Sequence, residues 1–254
     1  MLLAAATEAA QAAGKIIREA KTLHVQHKGT VDLVTQIDLA AEHAICEILT
    51  QRTPGIPILA EEGGGAATES TRWIVDPLDG TTNFVHNFPS YAVSIALQQD
   101  GELVVGCILD VVLDLTYTAK RGCGAFCEGE PIRVSTTNAL QQSLLLTGFP
   151  YDRHERAAHY LSFVQAFMEQ AQGIRRAGAA ALDFTHIAAG KADGFWEFNL
   201  SPWDVAAGIL LVEEAGGKVT DMNGSPLSLD KPRLLASNGI IHDQMRQILN
   251  TLIS

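Results

Sequence analysis

The segment WIVDPLDGTTNF, residues 73–84, is the most informative stretch of this chain. An apolar run ends in two carboxylates three residues apart, Asp76 and Asp79, and Gly80 and two threonines follow directly. Carboxylates are the oxygen ligands that divalent cations such as Mg²⁺ prefer, and a glycine lets backbone N–H groups come close to a phosphate. The stretch therefore predicts a strand end that supports metal-assisted chemistry on a phosphate group.

Composition sets the broad class of protein. The chain has 254 residues, of which 47% are hydrophobic, which is enough for one large domain or two closely packed subdomains. A change of pattern near Asn138 predicts subdomains at 1–138 and 139–254. The net charge of -11 argues against binding to nucleic acid or to an anionic membrane.

Cysteine usage and hydropathy predict the compartment. None of the four cysteines forms a CxxC pair or has zinc-like spacing with histidine, which indicates reduced thiols. The alanine-rich start lacks the basic segment and apolar block of a signal peptide, and we find no apolar run of membrane-spanning length. A cytoplasmic protein is expected.

The first half is predicted to contain helices followed by a largely antiparallel sheet. Helical spacing of apolar residues predicts a helix from Leu2 to about Leu23 and a second from Leu39 to Arg52, with Asp38 as its N-cap. The polar stretch 63–71 is expected to be a surface loop, and Asp100-Gly101 is a strong hairpin signal. Strands are predicted at 56–60, 73–75, 91–98, 102–112 and 115–120, and the stretch 122–130 adds further strand and turn.

The second half alternates between strand and helix patterns, which is typical of an α/β subdomain. Predicted strands lie at 144–148, 174–177, 193–198, 218–221 and 233–236. Predicted helices lie at 154–172, 179–189, 202–215 and 240–253. The overall fold class is therefore mixed α/β.

Each candidate residue, taken alone, has a purely structural alternative. The segment 76–80 could be an ordinary turn, because Asp-Gly after proline is common turn chemistry. Asp204 could simply cap a helix. Glu62 and Lys28 could be solvated surface groups.

The motifs taken together resemble the inositol monophosphatase family of lithium-sensitive, magnesium-dependent phosphomonoesterases. Three stretches carry the resemblance: DPLDGTTNFVH at 76–86, Glu61-Glu62 upstream, and WDVAAG at 203–208 followed by EAGG at 214–217. Their order and spacing suit the family over nearly the full length. The resemblance implies a layered α-β-α-β-α sugar-phosphatase fold.

The resemblance also implies a set of metal ligands. Glu61, Asp76 and the carbonyl of Leu78 would bind one Mg²⁺, and Asp76, Asp79 and Asp204 a second. Glu61 is also available to a weaker third ion. Lys28 matches a family lysine near the metal site.

Catalytic roles follow from the same resemblance. Glu61 and the Thr81 hydroxyl would orient the attacking water, and Asp38 would hold Thr81 through a hydrogen bond. Gly80 and Thr81 would offer backbone N–H groups to the phosphate.

The second subdomain is expected to bind the alcohol half of the substrate. Gly178, Ala179, Ala180 and Glu197 match family positions that contact inositol hydroxyls, and Asp79 and Asp204 also face the substrate. Ala179 stands where many relatives have serine or threonine, which puts strict inositol preference in question. A nearby pair, Arg175-Arg176, could reach a phosphate or a partner subunit. The aromatic residues Phe195, Trp196, Phe198 and Trp203 are expected in the core, with one ring available to line the pocket.

The sequence thus predicts a phosphomonoesterase that hydrolyses inositol monophosphate through direct attack of a water molecule. The alternatives within the same chemistry are fructose-1,6-bisphosphate, 3′-phosphoadenosine nucleotides, histidinol phosphate or a broad range of sugar phosphates. An alternative of another class is a regulatory protein that binds transcription machinery. By resemblance we expect a homodimer with a small-molecule phosphate ester as its ligand.

Overall fold

The structure is a computed structural model that describes residues 1–20, 25–27, 33–65, 68–230 and 232–253. Lys28 lies outside the described residues. Within them the helices are α1 Leu2–Glu19, α2 Gln36–Arg52, α3 Thr81–Val85, α4 Arg153–Met168, α5 Ala180–Ala188, α6 Pro202–Glu214 and α7 His242–Ile253.

The strands form two large sheets and one small hairpin, β1 Val25–His27 with β2 Leu33–Thr35. The first large sheet contains β3 Ile58–Ala60, β4 Gly64–Gly65, β5 Arg72–Asp79, β6 Ala92–Gln99, β7 Glu102–Asp110, β8 Leu115–Lys120, β9 Gly124–Cys127 and β10 Glu130–Ile132. The second contains β11 Leu144–Thr147, β12 Gly173–Arg175, β13 Gly194–Phe198, β14 Lys218–Asp221 and β15 Arg233–Ser237.

The eight-stranded sheet has the order β10-β9-β8-β7-β6-β5-β3-β4, and only the β3–β5 pair is parallel. The five-stranded sheet has the order β12-β11-β13-β15-β14, in which β12, β11 and β13 are parallel to one another. The predicted antiparallel sheet and α/β second half are both present.

The elements stack in five layers. Helices α1 and α2 cover the outer face of the eight-stranded sheet, α5 and α6 lie between the two sheets, and α4 and α7 cover the five-stranded sheet. Since α6 contacts a sheet on each side, its residues from Val205 to Val212 are all buried. The layered α-β-α-β-α arrangement that the sequence predicted is therefore confirmed.

Packing between α6 and the first sheet depends on a glycine. A Cβ on Gly106 of β7 would lie 2.9 Å from the carbonyl oxygen of Ala207. This close approach brings the start of α6 near β5 and β6, where the candidate site lies.

The prediction that Asp38 is the N-cap of α2 is wrong. The cap is Thr35, and Asp38 is the third residue of the helix, whose carboxylate accepts the Thr35 N–H at 2.9 Å. This reciprocal capping box moves the helix start to Gln36, three residues earlier than predicted.

One strand boundary was also predicted wrongly, and one strand was missed. Strand β5 continues beyond Val75 to Asp79 and contains Pro77, which a bulge accommodates. Gly64 and Gly65, predicted as loop, pair with β3. The predicted first helix ends at Glu19, and 21–24 lie outside the described residues.

Candidate active site

Glu61 and Asp76 are brought together by two parallel strands. Strand β3 runs beside β5 with Ala60 opposite Val75, and the N–H of Glu61 donates to the carbonyl of Val75 at 3.2 Å. Glu61 directly follows Ala60, and Asp76 directly follows Val75, so both carboxylates lie at the same edge of the sheet.

A bulge in β5 brings Asp79 to the same site. On β6, Ser94 pairs with Asp76 and Ala92 pairs with Asp79, so two steps on β6 correspond to three on β5. Side chains alternate along a regular strand, so residues three apart would point to opposite faces. The extra residue in the β5 bulge therefore places the Asp79 side chain on the same face of the sheet as the Asp76 side chain.

Asp204 reaches the site from helix α6. Its carboxylate accepts the N–H of Ser201 at 2.6 Å, which fixes the first turn of the helix. The preceding residue, Trp203, accepts a hydrogen bond from Ser94 Oγ at 3.2 Å through its carbonyl. Ser94 lies on β6 opposite Asp76 of β5, so this contact holds the start of α6 against β6, next to the strand that carries the first two aspartates.

The four carboxylates line one cleft with a volume of about 420 Å³. The backbone of Leu78, Gly80 and Thr81 lines it as well. The predicted alcohol-binding residues Gly178, Ala179, Ala180 and Glu197 line the same cleft. The structure thus brings together the sequence-predicted metal and substrate residues that line this cleft.

The carboxylates raise one another's pKa. Burial and the negative charges of Glu61, Asp79 and Asp204 raise the pKa of Asp76 well above its ordinary value. Burial and the charge of Glu61 raise the pKa of Asp79 to about 7, against backbone hydrogen bonds that lower it. Such repulsion is relieved when a cation binds between the groups.

The donor set fits a hard divalent cation. Three of these carboxylates accept a backbone N–H, Asp76 from Leu78 at 3.0 Å and Asp79 from Ala181 at 2.7 Å, besides Asp204 from Ser201. Within the described residues no group of three His, Cys, Asp or Glu side chains is gathered closely around a single point. A carboxylate has about four lone-pair sites, so one N–H bond leaves it able to ligate, and Mg²⁺ needs few protein ligands because it keeps several waters.

The Thr81 hydroxyl is fixed by two acceptors. It lies 3.1 Å from Asp38 Oδ1 and 3.1 Å from the carbonyl of Leu78. Asp38 is itself held by the N–H and hydroxyl of Thr35 at 2.9 and 2.5 Å. The predicted link from Asp38 to Thr81 is present. Gly80 precedes Thr81 with φ of 90°, a conformation that favours glycine.

Glu197 occupies space that is open because residue 148 is a glycine. Glu197 lies on β13 and is buried, and a Cβ built on Gly148 would lie 2.1 Å from each of its carboxylate oxygens. Burial and the charge of Asp204 raise the pKa of Glu197 to about 8, and the charge of Arg176 lowers it. A purely structural role, in which Glu197 would pair with a surface cation, does not fit this buried position.

The sequence analysis did not single out Asn83, which connects the phosphate segment to the loop before α5. Asn83 Nδ2 lies 2.7 Å from the Ser90 carbonyl, 2.9 Å from that of Ala177 and 3.3 Å from that of Gly178. It therefore fastens the phosphate segment to the loop before α5. Its position within the 73–84 motif was the one sequence feature that could have identified Asn83 as a functional residue.

Arg176 also lines the cleft, whereas the neighbouring Arg175 does not. Both side chains are exposed, and Arg175 donates to the Ile174 carbonyl. Of the four predicted core aromatics, Phe198 is the ring that lines the cleft. Glu62 is half-buried, and its backbone N–H donates to the Glu42 carboxylate at 2.8 Å.

Comparison with known proteins gives an independent result. The model of the inositol monophosphatase family matches residues 1–254. An inositol-1-monophosphatase of Mesorhizobium japonicum is 42% identical over 95% of this chain and 91% of its own. Nus factor SuhB of Pseudomonas aeruginosa is 43% identical over 93% of this chain and 91% of its own.

Solved structures agree with these relatives. The inositol monophosphatase of Anabaena superposes with a TM-score of 0.89, at 43% identity, over 98% of this chain and 95% of its own. An IMPase/NADP phosphatase complexed with Mg²⁺ and phosphate superposes with a TM-score of 0.81, at 27% identity, over 94% of this chain and 90% of its own.

The class defined by this fold and cleft is a phosphatase. The chain belongs to the inositol monophosphatase family. The predicted family, fold and enzyme class are confirmed.

Proposed function

We propose that this protein hydrolyses inositol monophosphate to inositol and phosphate with the help of Mg²⁺. One observation carries the proposal: Glu61, Asp76, Asp79 and Asp204 come from three separate parts of the chain and line a single cleft together with Glu197. The relatives named inositol-1-monophosphatase support the choice of substrate.

The residues that would hold the metal are Glu61, Asp76, Asp79, Asp204 and the carbonyl of Leu78. Two ions are proposed, with a third at Glu61. The similar phosphatase that was solved in complex with Mg²⁺ and phosphate supports the choice of ion. Bound there, Mg²⁺ would lower the pKa of a water and neutralise charge on the leaving alkoxide.

The protein's own groups would orient the nucleophile. The Thr81 hydroxyl and the Glu61 carboxylate would hold the attacking water in line with the ester bond. Glu61 would take its proton, because a carboxylate is the acceptor at that edge. Asp38 is a positioning residue, since its contact is with Thr81 at 3.1 Å.

Phosphate and alcohol would be bound by neighbouring parts of the cleft. The N–H groups of Gly80 and Thr81 would donate to phosphate oxygens. Glu197 would accept hydrogen bonds from the polyol, beside the backbone of 178–180. Ala179 offers no hydroxyl there, so we propose a substrate range that extends to other sugar phosphates.

Further properties are proposed from the family resemblance. These are inhibition by lithium, a homodimer, a cytoplasmic location and subdomains at 1–138 and 139–254. No helix among the described residues is long and apolar enough to cross a membrane.

A regulatory role is the second candidate function. The relative named Nus factor SuhB, 43% identical, supports it. A pull-down from the native host that recovers no transcription or ribosome-assembly component would remove this role.

The test of the enzymatic proposal is phosphate release from inositol 1-phosphate across a magnesium titration. Fructose 1,6-bisphosphate and 3′-phosphoadenosine 5′-phosphate serve as competing substrates. Asp79→Asn should abolish magnesium-dependent turnover, whereas Asp243→Asn, at an exposed carboxylate, should not change it. If only another ester is hydrolysed, the proposed site is supported but inositol monophosphate is not the substrate. An inactive wild-type enzyme that still binds Mg²⁺ would contradict the proposal.

A further inference from the structure

A buried carboxylate on α2, that of Glu42, is not used by the proposed mechanism. Glu42 is only 9% exposed, and glutamate side chains are seldom buried without a partner. It lies four residues after Asp38, so the two side chains project from the same face of the helix. Asp38 reaches Thr81 of the candidate site from this face, so Glu42 lies beside the site as well.

The Glu42 carboxylate contacts the turn that follows β3. Its Oε2 accepts the backbone N–H of Glu62 at 2.8 Å. Its Oε1 lies against Gly63, where an added Cβ would be only 2.8 Å away. Both oxygens are therefore placed on the backbone of residues 62–63, and a hydrogen bond to a carboxylate is roughly twice as strong as one between neutral groups.

This turn sets the direction of the Glu61 side chain. The Glu61 N–H donates to the Val75 carbonyl of β5 at 3.2 Å, and the next N–H along the chain, that of Glu62, donates to Glu42. The peptide on one side of Glu61 is thus held by β5, and the peptide on the other side is held by α2. Because each peptide is planar, holding both of them fixes the direction in which the Glu61 side chain leaves the backbone.

Helix α2 also holds Thr81. Asp38 accepts the Thr81 hydroxyl at 3.1 Å, whereas Glu42 holds Glu61 through the backbone of the turn. Thr81 and Glu61 are the two groups that are proposed to orient the attacking water. Two carboxylates four residues apart, about 6 Å along the helix axis, therefore set the spacing between these two groups.

We propose that Glu42 is a positioning residue that aims the Glu61 carboxylate at the attacking water. This proposal rests on the proposed phosphatase function. Without the Glu42 carboxylate, the Glu62 N–H loses this acceptor and the turn can relax, which moves the Glu61 carboxylate relative to Thr81. A group that orients the nucleophile acts on the chemical step, so its misplacement lowers kcat and leaves KM nearly unchanged.

The experiment compares Glu42→Ala with Glu42→Gln in the full-length enzyme, with inositol 1-phosphate and saturating Mg²⁺. The alanine variant should lose about 10- to 100-fold in kcat, since a misplacement of about 1 Å costs roughly 10²-fold, while KM changes by less than about twofold. The glutamine variant should keep most of kcat, because its amide oxygen can still accept the Glu62 N–H. Glu47→Ala is the matched control and should equal the wild type, because Glu47 is exposed on the same helix.

Gly63→Ala tests the same contact from the other side. The added methyl group would push the Glu42 carboxylate away from the turn, so this change alone should also lower kcat. Combined with Glu42→Ala, which removes the displaced carboxylate, it should cost little more. Losses that simply multiply in the double variant would contradict the proposal, because Gly63→Ala would then act independently of Glu42.

Amide hydrogen exchange in the metal-free protein gives a readout without turnover. Residues 61–65 should exchange at least about tenfold faster in Glu42→Ala than in Glu47→Ala, whereas exchange elsewhere should stay unchanged, which separates local opening from a loss of the fold. If the wild type hydrolyses no ester but this difference is present, the proposed function is wrong and the hold of Glu42 on the turn stands. Equal exchange in the two variants, or a Glu42→Ala enzyme with the kcat of Glu47→Ala, would overturn the proposal.

Discussion

Gly148→Ala should disable substrate binding without touching a metal ligand. Gly148 follows β11 and is buried against the carboxylate of Glu197. The added methyl group would lie 2.1 Å from both carboxylate oxygens, whereas an ordinary contact begins at 3.4 Å. The Glu197 carboxylate must therefore move by about 1.3 Å, which is 3.4 minus 2.1.

This displacement has a predictable magnitude. Glu197 is only 8% exposed, so surrounding residues limit where its carboxylate can go. A misplacement of about 1 Å at a substrate-positioning group lowers rates by roughly 10²-fold, and a lost hydrogen bond to a charged group contributes ~1.5–3 kcal/mol. We expect kcat/KM for inositol 1-phosphate to fall by about 10- to 100-fold. Overpacking should also lower the free energy of unfolding by roughly 1–3 kcal/mol.

The assay measures kcat/KM at saturating Mg²⁺, the Mg²⁺ concentration for half activity, and the Tm. Gly173→Ala is the matched control, because its Cβ would lie 3.5 Å from Arg175 Nη1 and 3.6 Å from Leu144 Cδ1, which are ordinary contacts. Glu197→Gln and the double variant complete a mutant cycle. Since both single changes act on one carboxylate, the double variant should lose little more than either alone.

Two results would refute this reasoning. One is a Gly148→Ala enzyme whose kcat/KM equals that of Gly173→Ala. The other is a double variant whose losses simply add, since the alanine would then act independently of Glu197. The Mg²⁺ dependence should stay unchanged, because Glu197 is not among the proposed ligands.

Three further predictions concern catalysis, metal binding and acid stability. In a steady-state assay, Thr81→Val should lower kcat by about 10²- to 10⁴-fold, whereas Thr81→Ser should keep most of the activity. Asp38→Asn should lower kcat by only about tenfold, because Asp38 acts through Thr81. Removing Mg²⁺ with a chelator should lower the Tm, since an ion at 100 times its Kd stabilises the folded state by about 2.7 kcal/mol; an unchanged Tm would contradict carboxylate ligation. His242 is buried between Thr220 Oγ1 at 2.9 Å and Ser237 Oγ at 2.8 Å, and burial lowers its pKa from 6.5 to about 4. As the pH falls, His242 is therefore protonated in the unfolded chain before it is protonated in the folded protein, whereas above pH 6.5 it is neutral in both states. Urea titrations should show the free energy of unfolding falling by at most ~1.4 kcal/mol per pH unit between pH 6.5 and 4. His242→Gln should reduce this slope.

Local patterns were sufficient for most elements of the fold. The Asp100-Gly101 signal is confirmed, with φ of 52° and 87° between β6 and β7. Pro202 does open α6, and β8 has the predicted bounds of Leu115–Lys120. These features depend on the backbone preferences of residues that are neighbours in the sequence, so they can be predicted from the sequence alone.

Boundaries that depend on longer interactions were predicted poorly. The start of α2 was misplaced because Asp38 reaches back to Thr35 and, through Thr81, to a different part of the chain. The end of β5 was misplaced because proline normally interrupts a central strand, whereas here the bulge is stabilised by pairing with β6.

The sequence by itself determined the chemistry of this protein: an oxygen-rich motif, its order along the chain, and hence the family. Only the tertiary structure decided how those groups are arranged. The bulge aligns Asp79 with Asp76, Gly148 leaves room for the Glu197 carboxylate, and Arg176 rather than Arg175 lines the cleft. The physical reason is that residue type is a local property, whereas the direction of a side chain depends on strand register and on contacts between segments far apart in the chain.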